Sequence, residues 1–471
     1  MSEIFQYKAV PSTWLENNGR RLDCGPYVSG AVEIREILKK HQTDVLSDLT
    51  SGHEGGIYNG PQFKRNYVID AEHGVPFLTT TFMMQGDLSR LPLLSKKDAH
   101  SRKLSFLRIE EGMTLITCSG TVGRTIYARS DMSGVWSNQD ILKIVVDSNK
   151  ILPGYLNAYL CTKFGVPFIL SGKYGSVISH LEPKHFSDLL VPRLDIEVEK
   201  KAHELVQKGA DLLAQYQSYL TAATKLFFES VGLSDISPFE WHSWGSDLGF
   251  ANTAGVQSFR ALNFNPRFQR LCERIKQGPW KPLGELCVSD TLRRGSRFNR
   301  IDADPEFAYK LISQKELFWL RPEGRYVARK YVPDDALVKD GSILIAARGT
   351  FGESELYCRA EFIHGKSAGN AFSEDILRVI GDENKIRRGA LFAFMRSETA
   401  FRMLRSISVG SKLQDHHYAM LPLLPVPYPP EYIRDRCHKL VTEAYAAREK
   451  AIELEDQART LVERTIEEES R

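Results

Sequence analysis

The sequence lacks the features that mark membrane, secreted and zinc-binding proteins. It has no run of about 18 apolar residues, so no membrane-spanning helix is expected. No basic stretch followed by an apolar one opens it, so no signal peptide is predicted. Its seven cysteines are scattered without a C-x-x-C pair, which argues against a structural zinc site and predicts reduced thiols in a cytoplasmic protein.

Common catalytic signatures are also missing. There is no G-x-G-x-x-G motif and no N-P-P-Y motif of adenine methyltransferases. Residues 364–367 resemble the end of a phosphate-binding loop, but Ala360 stands where that loop needs its first glycine. The adjacent His416 and His417 cannot share one helix face as metal ligands do. We therefore predict no catalytic site and no metal, although the many acids leave a nuclease site open.

The net charge of +3 is small, but the charges are unevenly distributed. Residues 429–471 contain eight Lys/Arg and eleven Asp/Glu, a balance of −3, so the rest of the chain carries +6. A basic balance outside the tail favours a nucleic-acid ligand. Ordinary surface charge is the alternative.

The chain contains one long internal repeat. Residues 112–123 and 341–352 both follow G-x-x-L-I-x-x-x-G-T-x-G, 229 positions apart. Further matches, 235 or 240 positions apart, join residues 140–144 with 375–379, 175–176 with 410–411, 191–192 with 426–427, and 22–26 with 262–266. Because solenoid units are about 20–50 residues long, this spacing indicates a duplicated domain. Two similar modules have pseudo-two-fold symmetry and can bind two half-sites of one ligand.

Each half of the chain combines short β-like runs, a helical stretch and then a long helix. Strands are predicted at 114–117, 141–146, 342–346 and 376–380, and helical stretches at 152–170 and 388–407. Long amphipathic helices are predicted at about 195–230 and 431–469, the second preceded by Pro429 and Pro430. Each would span roughly 50–60 Å, too long for one module, so its apolar stripe needs a partner. The other long helix is the favoured partner, and packing on its own module is the alternative.

These elements predict α/β (α+β) modules in tandem, with pseudo-two-fold symmetry, separated by two long antiparallel helices that form a coiled-coil-like spacer. The boundaries are the first module (1–193), the first long helix (194–231), a linker (232–258), the second module (259–428) and the second long helix (429–471). The linker tryptophans Trp241 and Trp244 are expected to pack the linker down, with ligand stacking as the alternative.

In the order of its motifs, the chain resembles the specificity (S) subunits of Type I restriction–modification systems over nearly its whole length. That resemblance implies that each module is a target recognition domain for one half of a bipartite DNA sequence. It also implies that the long helices dock methyltransferase (M) subunits, two of them, and that nuclease/translocase (R) subunits join for cleavage. S-adenosylmethionine would bind the methyltransferase, and this chain would hold no cofactor.

Candidate DNA contacts lie in three polar clusters of each module, because such side chains bind phosphates and base edges. In the first module they are Thr79, Thr80, Thr81, Ser119, Thr121, Arg124, Lys173, Tyr174, Ser176, Ser179 and His180. In the second they are Ser313, Gln314, Lys315, Arg348, Thr350, Ser411, Lys412, Gln414 and His416. The two sets differ on a common apolar frame, as expected if the half-sites differ. The alternative is that the glycines only make turns and the polar groups are merely solvated.

Candidate docking residues for the methyltransferase lie on the long helices: Leu205, Leu212, Tyr216, Leu440, Tyr445 and Ile452. Three other hypotheses remain open from sequence. The chain could serve a Type IIB or other methylation-based defence system, since its opening and linker also resemble S-like chains of such systems. It could be a stand-alone nuclease with an undetected metal site, or a scaffold that binds protein through the repeat.

Overall fold

The computed structural model describes residues 8–17, 20, 22, 24–173, 180–246 and 258–470. Its chain divides into two compact units, each containing part of both long helices. Unit 1 comprises the described residues up to Met83, Leu91–Ala214 and those from Lys450 onward. Unit 2 comprises Met84–Arg90 and Gln215–Glu449. Among the described residues, the helices lack an apolar stretch of the length that a membrane span needs.

The first module is built on small sheets flanked by short helices. Its elements are α1 Ser12–Asn17, α2 Gly25–Val28, α3 Ala31–Leu38, β1 Thr43–Val45, β2 Ile57–Tyr58, β3 Tyr67–Val68, β4 Gly74–Leu78, α4 Thr80–Met83, β5 Leu93–Ser95, α5 Lys96–Ala99, β6 Thr114–Thr117, β7 Thr125–Tyr127, β8 Trp136–Ser137, β9 Ile141–Ile144, α6 Pro153–Leu160, α7 Gly165–Ser171, α8 Lys184–Ser187 and β10 Leu190–Pro192. One sheet has the order β2-β9-β6-β7, another β3-β5-β4-β8, and β1 pairs with β10.

The second half of the chain repeats this plan. Its elements are the first long helix α9 Ile196–Glu229, then α10 Pro238–Ser243, α11 Pro266–Lys276, β11 Trp280–Pro282, α12 Leu283–Leu286, β12 Arg293–Arg294, β13 Ala308–Ile312, β14 Arg325–Ala328, β15 Ile343–Ala346, β16 Ala360–Phe362, β17 Ala371–Phe372, β18 Ile376–Val379, α13 Arg388–Met395, α14 Glu398–Ser406, β19 Ser408–Val409, β20 Asp415–His416, β21 Pro425–Pro427 and the second long helix α15 Glu431–Glu469. The sheet orders are β12-β18-β15-β16, β14-β13-β17, β19-β20 and β11-β21.

The central strands of the two modules have the same pairing. β6 lies between β9 and β7 in the first module, as β15 lies between β18 and β16 in the second, all antiparallel. β4 pairs with β8 in parallel, as β13 does with β17. This agreement confirms the duplicated α/β fold and the strands predicted around both glycine motifs.

The helical stretch of each module differs from the prediction, because it is broken into two helices. In the first module Thr162 separates α6 from α7, and its hydroxyl accepts hydrogen bonds from the amides of Phe164 and Gly165. At the equivalent place, Ser397 caps α14 by accepting from the amide of Ala400. A side chain that satisfies the first amides of a helix fixes a new start there.

Both long helices form within one residue of the predicted bounds, at Ile196–Glu229 and Glu431–Glu469. In unit 1 the early part of α9 packs on the late part of α15, with Ala202, Val206, Ala458 and Val462 buried in one core. Gly209 belongs to this contact, because a Cβ there would lie 3.3 Å from the Ala451 carbonyl oxygen. A residue that weakens an isolated helix therefore permits close helix packing.

In unit 2 the pairing continues between the late part of α9 and the early part of α15. The rings of Tyr216 and Tyr445 meet edge to face at 5.4 Å, and the Cys437 thiol donates to the Ala223 carbonyl oxygen at 3.5 Å. Residue numbers rise along α9 as they fall along α15, so the helices are antiparallel, as predicted.

Each module is joined to a long helix by the same close contact. The Gly154 amide, in the first turn of α6, donates to Nδ1 of His203 at 3.1 Å. The Gly389 amide of α13 donates to Nδ1 of His438 at 3.1 Å. Because amides in the first turn have no partner within the helix, the histidines satisfy groups that would otherwise be unpaired. Burial lowers the pKa of both histidines, which favours the neutral form that accepts.

One further histidine lies in the core of unit 2. His416 is 9% exposed, and its Nε2 lies 3.3 Å from the thiol of Cys358. Burial, together with the charge of Arg294, lowers the pKa of His416 to about 3. The imidazole is therefore neutral at physiological pH, and protonating it would require a buried charge.

Replacing Gly389 by alanine should destabilise unit 2. The new Cβ would lie 2.8 Å from the Cα of His438, so the helix or the module must shift, at a cost of about 1–3 kcal/mol. Alanine's preference for helices offsets up to about 1 kcal/mol of this loss. Urea unfolding of the full chain would measure the difference. Gly369→Ala is the matched control, since nothing lies within 4 Å of a Cβ there; equal losses in both variants would contradict the close contact.

The free energy of unfolding should fall as the pH drops below about 6.5, the ordinary pKa of histidine. In this range the unfolded chain binds a proton at residue 416 while the folded chain does not, because its pKa is about 3. The loss should reach about 1.4 kcal/mol per pH unit. Chemical unfolding between pH 7 and pH 5, measured for the wild type and for His416→Phe, would show a shallower slope in the variant. Identical slopes would show that His416 does not titrate in this way.

Candidate nucleic-acid interface

The predicted clusters of the second module meet at the ends of its strands. Gln314 follows β13, and Arg348 follows β15 by two residues. The Gln314 side chain donates from Nε2 to the Arg348 carbonyl oxygen at 2.6 Å and accepts from the Arg348 amide at 3.0 Å. Gly349 forms a β-bridge with Gln414. Members of all three sequence clusters are therefore neighbours in space.

A network of charged side chains surrounds this junction. Nε of Arg348 lies 3.5 Å from a carboxylate oxygen of Asp375 and 3.8 Å from one of Asp415. Arg294 of β12 bridges the same two acids, with nitrogen–oxygen distances of 3.7 Å to Asp375 and 3.1 Å to Asp415. The four side chains are between 29% and 40% exposed. We call these four residues the arginine–aspartate cluster.

The charged surface continues through the segment after β12. Arg300 forms an ion pair with Glu374, and Arg297 lies 3.5 Å from the same carboxylate. In the first module Arg65 lies 3.4 Å from Asp140. In both modules, therefore, an arginine from the segment after β2 or β12 pairs with an acid just before β9 or β18.

This shared arginine was missed among the sequence candidates, although the sequence contains its signal. Residues 60–65 and 295–300 both follow G-x-x-F-x-R, 235 positions apart. The spacing equals that of three other repeat blocks, so this period in the sequence identifies Arg65 and Arg300 as equivalent residues. Arg294 has no such signal, because the equivalent residue is Asn59.

In the first module two of the predicted clusters also meet. Ser119 forms an antiparallel bridge with His180, and the Leu181 amide donates to the Cys118 carbonyl oxygen at 3.0 Å. The loop after β6 is closed by Thr117, whose hydroxyl donates to the Thr121 carbonyl oxygen and accepts from the Arg124 amide. Gly120 and Gly123, with φ of 71° and 87°, make the turns of this loop, since only glycine takes such angles freely.

The remaining candidates differ in exposure. Thr81, Thr121, Lys173, Lys315, Thr350, Ser411 and Lys412 are exposed, whereas Thr79, Thr80, Ser119, Arg124, Ser313 and Arg348 are half-buried. Tyr174, Ser176 and Ser179 lie outside the described residues.

Three candidates of the second module have roles inside the protein. Gln414 is 3% exposed and His416 is 9% exposed, so neither side chain is accessible to DNA in this conformation. The side-chain amide of Gln314 uses one N–H and its oxygen in hydrogen bonds to the backbone of Arg348. These side chains shape the loop ends that carry Arg348; their burial follows from β20 packing against the core, which single-sequence patterns do not reveal.

The candidate docking residues of the long helices fall into two groups. Tyr216, Leu440 and Tyr445 are buried in unit 2, and the Tyr445 hydroxyl donates to Glu361 at 2.8 Å. Their surfaces are used by internal packing. Leu205, Leu212 and Ile452 are half-buried, so each retains some exposed apolar surface. The linker Trp241 is buried as well, at 5% exposure, which agrees with a packing role.

Within the described ranges, Asp70, Glu72 and His73 have ligand atoms within 4.8 Å of one another. All three belong to one exposed turn, in which Asp70 accepts from the Glu72 amide and lies 2.9 Å from His73 Nδ1. These bonds account for the geometry of the turn without a metal ion.

Comparisons with known proteins give structural neighbours only. No family model and no curated protein sequence matches the chain. The S subunit of a Type I restriction–modification system from M. genitalium is 11% identical, covers 90% of this chain and 93% of its own, and superimposes with a TM-score of 0.34. The HsdS subunit of Thermoanaerobacter tengcongensis is 11% identical over 90% of this chain and 96% of its own, with a TM-score of 0.26. A chain of a type I R-M system studied for complex assembly is 12% identical over 90% and 97%, with a TM-score of 0.26.

Proposed function

We propose that this chain is the DNA-binding specificity subunit of a restriction–modification complex, in which each module recognises one half of a bipartite DNA site. The observation that carries the proposal is that one fold occurs twice with different polar groups at equivalent places. β9, β6 and β7 have the same pairing as β18, β15 and β16. The loop after the central strand carries Ser119 in one module and Arg348 in the other. A repeated frame with different exposed side chains suits two different half-sites.

The chemistry of these surfaces supports DNA as the ligand. Protein–DNA interfaces place arginine and lysine on phosphates, and arginine, serine, threonine and amide side chains on base edges. Thr121, Lys173, Thr350 and Lys412 are exposed on the loops, and Arg348 is 39% exposed. The excess of +6 outside the last 43 residues adds a weak attraction for phosphates.

Partner subunits would supply the additional DNA affinity that this chain lacks alone. A charge of this size gives little of the counterion release on which tight DNA binding depends, so affinity should be modest for the chain alone. We propose two methyltransferase subunits, docked on the exposed parts of the long helices and closing around the duplex, with restriction subunits added for cleavage. S-adenosylmethionine then belongs to the methyltransferase, and this chain is a non-catalytic cytoplasmic subunit.

Two alternative functions, a subunit of another type of modification system and a stand-alone nuclease, make different predictions for the purified chain. A Type IIB or other methylation-based system would use the same DNA-recognition chemistry in the S-like chain. A stand-alone nuclease would instead cleave DNA as a purified chain with Mg²⁺ added. Incubation of plasmid DNA with the purified chain and Mg²⁺ distinguishes a stand-alone nuclease from a specificity subunit. Intact plasmid is the expected result.

The recognised DNA should be an asymmetric sequence in two parts, separated by a non-specific spacer. If both modules contact the same face of the duplex, their half-sites have centres about one helical turn apart, roughly 34 Å or 10 bp. Mapping methylated bases in a strain that expresses this chain with its methyltransferase would reveal the motif. A single contiguous motif would contradict the proposal.

Exchange of one module should change one half-site only. In a chain whose residues 1–192 are replaced by the corresponding module of a related protein, we expect the half-site of the second module to persist. The physical reason is that each module has its own core and carries its own loops. The same methylation mapping provides the measurement, and a change in both half-sites would show that recognition is not modular.

A further inference from the structure

We infer that the second module recognises a guanine through Arg348, and that Arg294, Asp375 and Asp415 hold the Arg348 guanidinium for this contact. This inference rests on the proposed function, and it names a base that the second half-site contains. The first module has no equivalent device, since Asn59 and Ser119 occupy the positions of Arg294 and Arg348.

The first argument is the position of Arg348. Its backbone is fixed on both sides by the Gln314 side chain, with hydrogen bonds of 2.6 Å and 3.0 Å. The neighbouring Gly349 is tied to Gln414 by a β-bridge. A side chain on an anchored backbone loses less conformational freedom on binding than one on an unanchored loop.

The second argument is the state of the guanidinium group. Its nearest carboxylate oxygens are 3.5 Å and 3.8 Å away, beyond normal hydrogen-bond length. In the described part of the chain no hydrogen bond uses its side-chain nitrogens, and the group is 39% exposed. It is therefore oriented by two negative charges while its donors remain available to a ligand.

The third argument decides between a phosphate and a base. Arg348 and Arg294 both contact Asp375 and Asp415, so two positive charges are balanced by two negative ones. A phosphate bound here would approach both carboxylates and be repelled by them. A base edge carries no net charge, and guanine offers O6 and N7, which accept two parallel hydrogen bonds from one arginine.

Arg297 provides the contrasting case within the same module. Its side chain is 82% exposed and lies 3.5 Å from Glu374. It is not part of the arginine–aspartate cluster that holds Arg348. An exposed, flexible arginine of this kind is suited to a phosphate contact, which contributes affinity but no sequence preference. It is the matched control for Arg348.

The test is selection of bound duplexes from a library with a randomised central segment, using the full-length chain at low salt, where phosphate contacts are strongest. The wild type should enrich a bipartite motif with a guanine in one half. Arg348→Gln should reduce the preference for that guanine about tenfold or more, the value of one bidentate contact. The other half-site should be unchanged, which shows that the first module of the variant still binds DNA.

Arg348→Lys separates charge from geometry. Lysine keeps the positive charge but lacks the planar fork, so we expect affinity to persist while the guanine preference falls. Arg297→Gln should lower affinity for all sequences equally and leave the motif intact. A thermal melt of each variant against the wild type checks that the second module remains folded.

The outcomes distinguish the inference from the function on which it rests. A bipartite motif whose guanine preference is unaffected by both Arg348 variants overturns the inference and leaves the proposed function standing. A uniform loss of affinity with an unchanged motif assigns Arg348 to a phosphate and also overturns it. Failure of the wild-type chain to enrich any motif counts against the proposed function itself.

Discussion

Each module meets its long helix through a contact too close for any side chain larger than hydrogen. The amides of Gly154 and Gly389 donate to His203 and His438 at the same distance of 3.1 Å. These contacts fix the position of α6 in the first module and of α13 in the second. Each of these helices packs against the sheet whose loops carry the polar clusters. The position of the candidate DNA contacts therefore depends on two glycine–histidine pairs, in which the glycines are buried and the histidines half-buried.

Much of this architecture follows from sequence patterns alone. Repeat blocks spaced 229 to 240 residues apart identified the duplication. The helical period of apolar residues located both long helices within a residue of their ends. These signals are strong because they involve many residues at regular intervals, so no single tertiary contact can override them. The breaks at Thr162 and Ser397 were not predicted, because capping depends on a few local bonds that an apolar pattern does not record.

The candidate site was predicted only in outline. The structure brings members of the three sequence clusters of the second module together, at Gln314, Arg348 and Gln414. Sequence could not show that Gln314 faces the backbone, that Gln414 is buried, or that Arg294 approaches two aspartates from a distant strand. Such facts follow from strand order, which brings residues between 34 and 121 positions apart side by side.

The repeated glycine–histidine joint also bears on how such a chain can evolve. Because both modules contact a long helix through the same glycine–histidine pair, a gene segment that encodes one module could be replaced by recombination without changing the long helices. Variation would then accumulate in the loops while the glycine–histidine contacts stay constant. Under the proposed function, a lineage built in this way would acquire a new target by exchanging a whole module, rather than by altering one residue at a time.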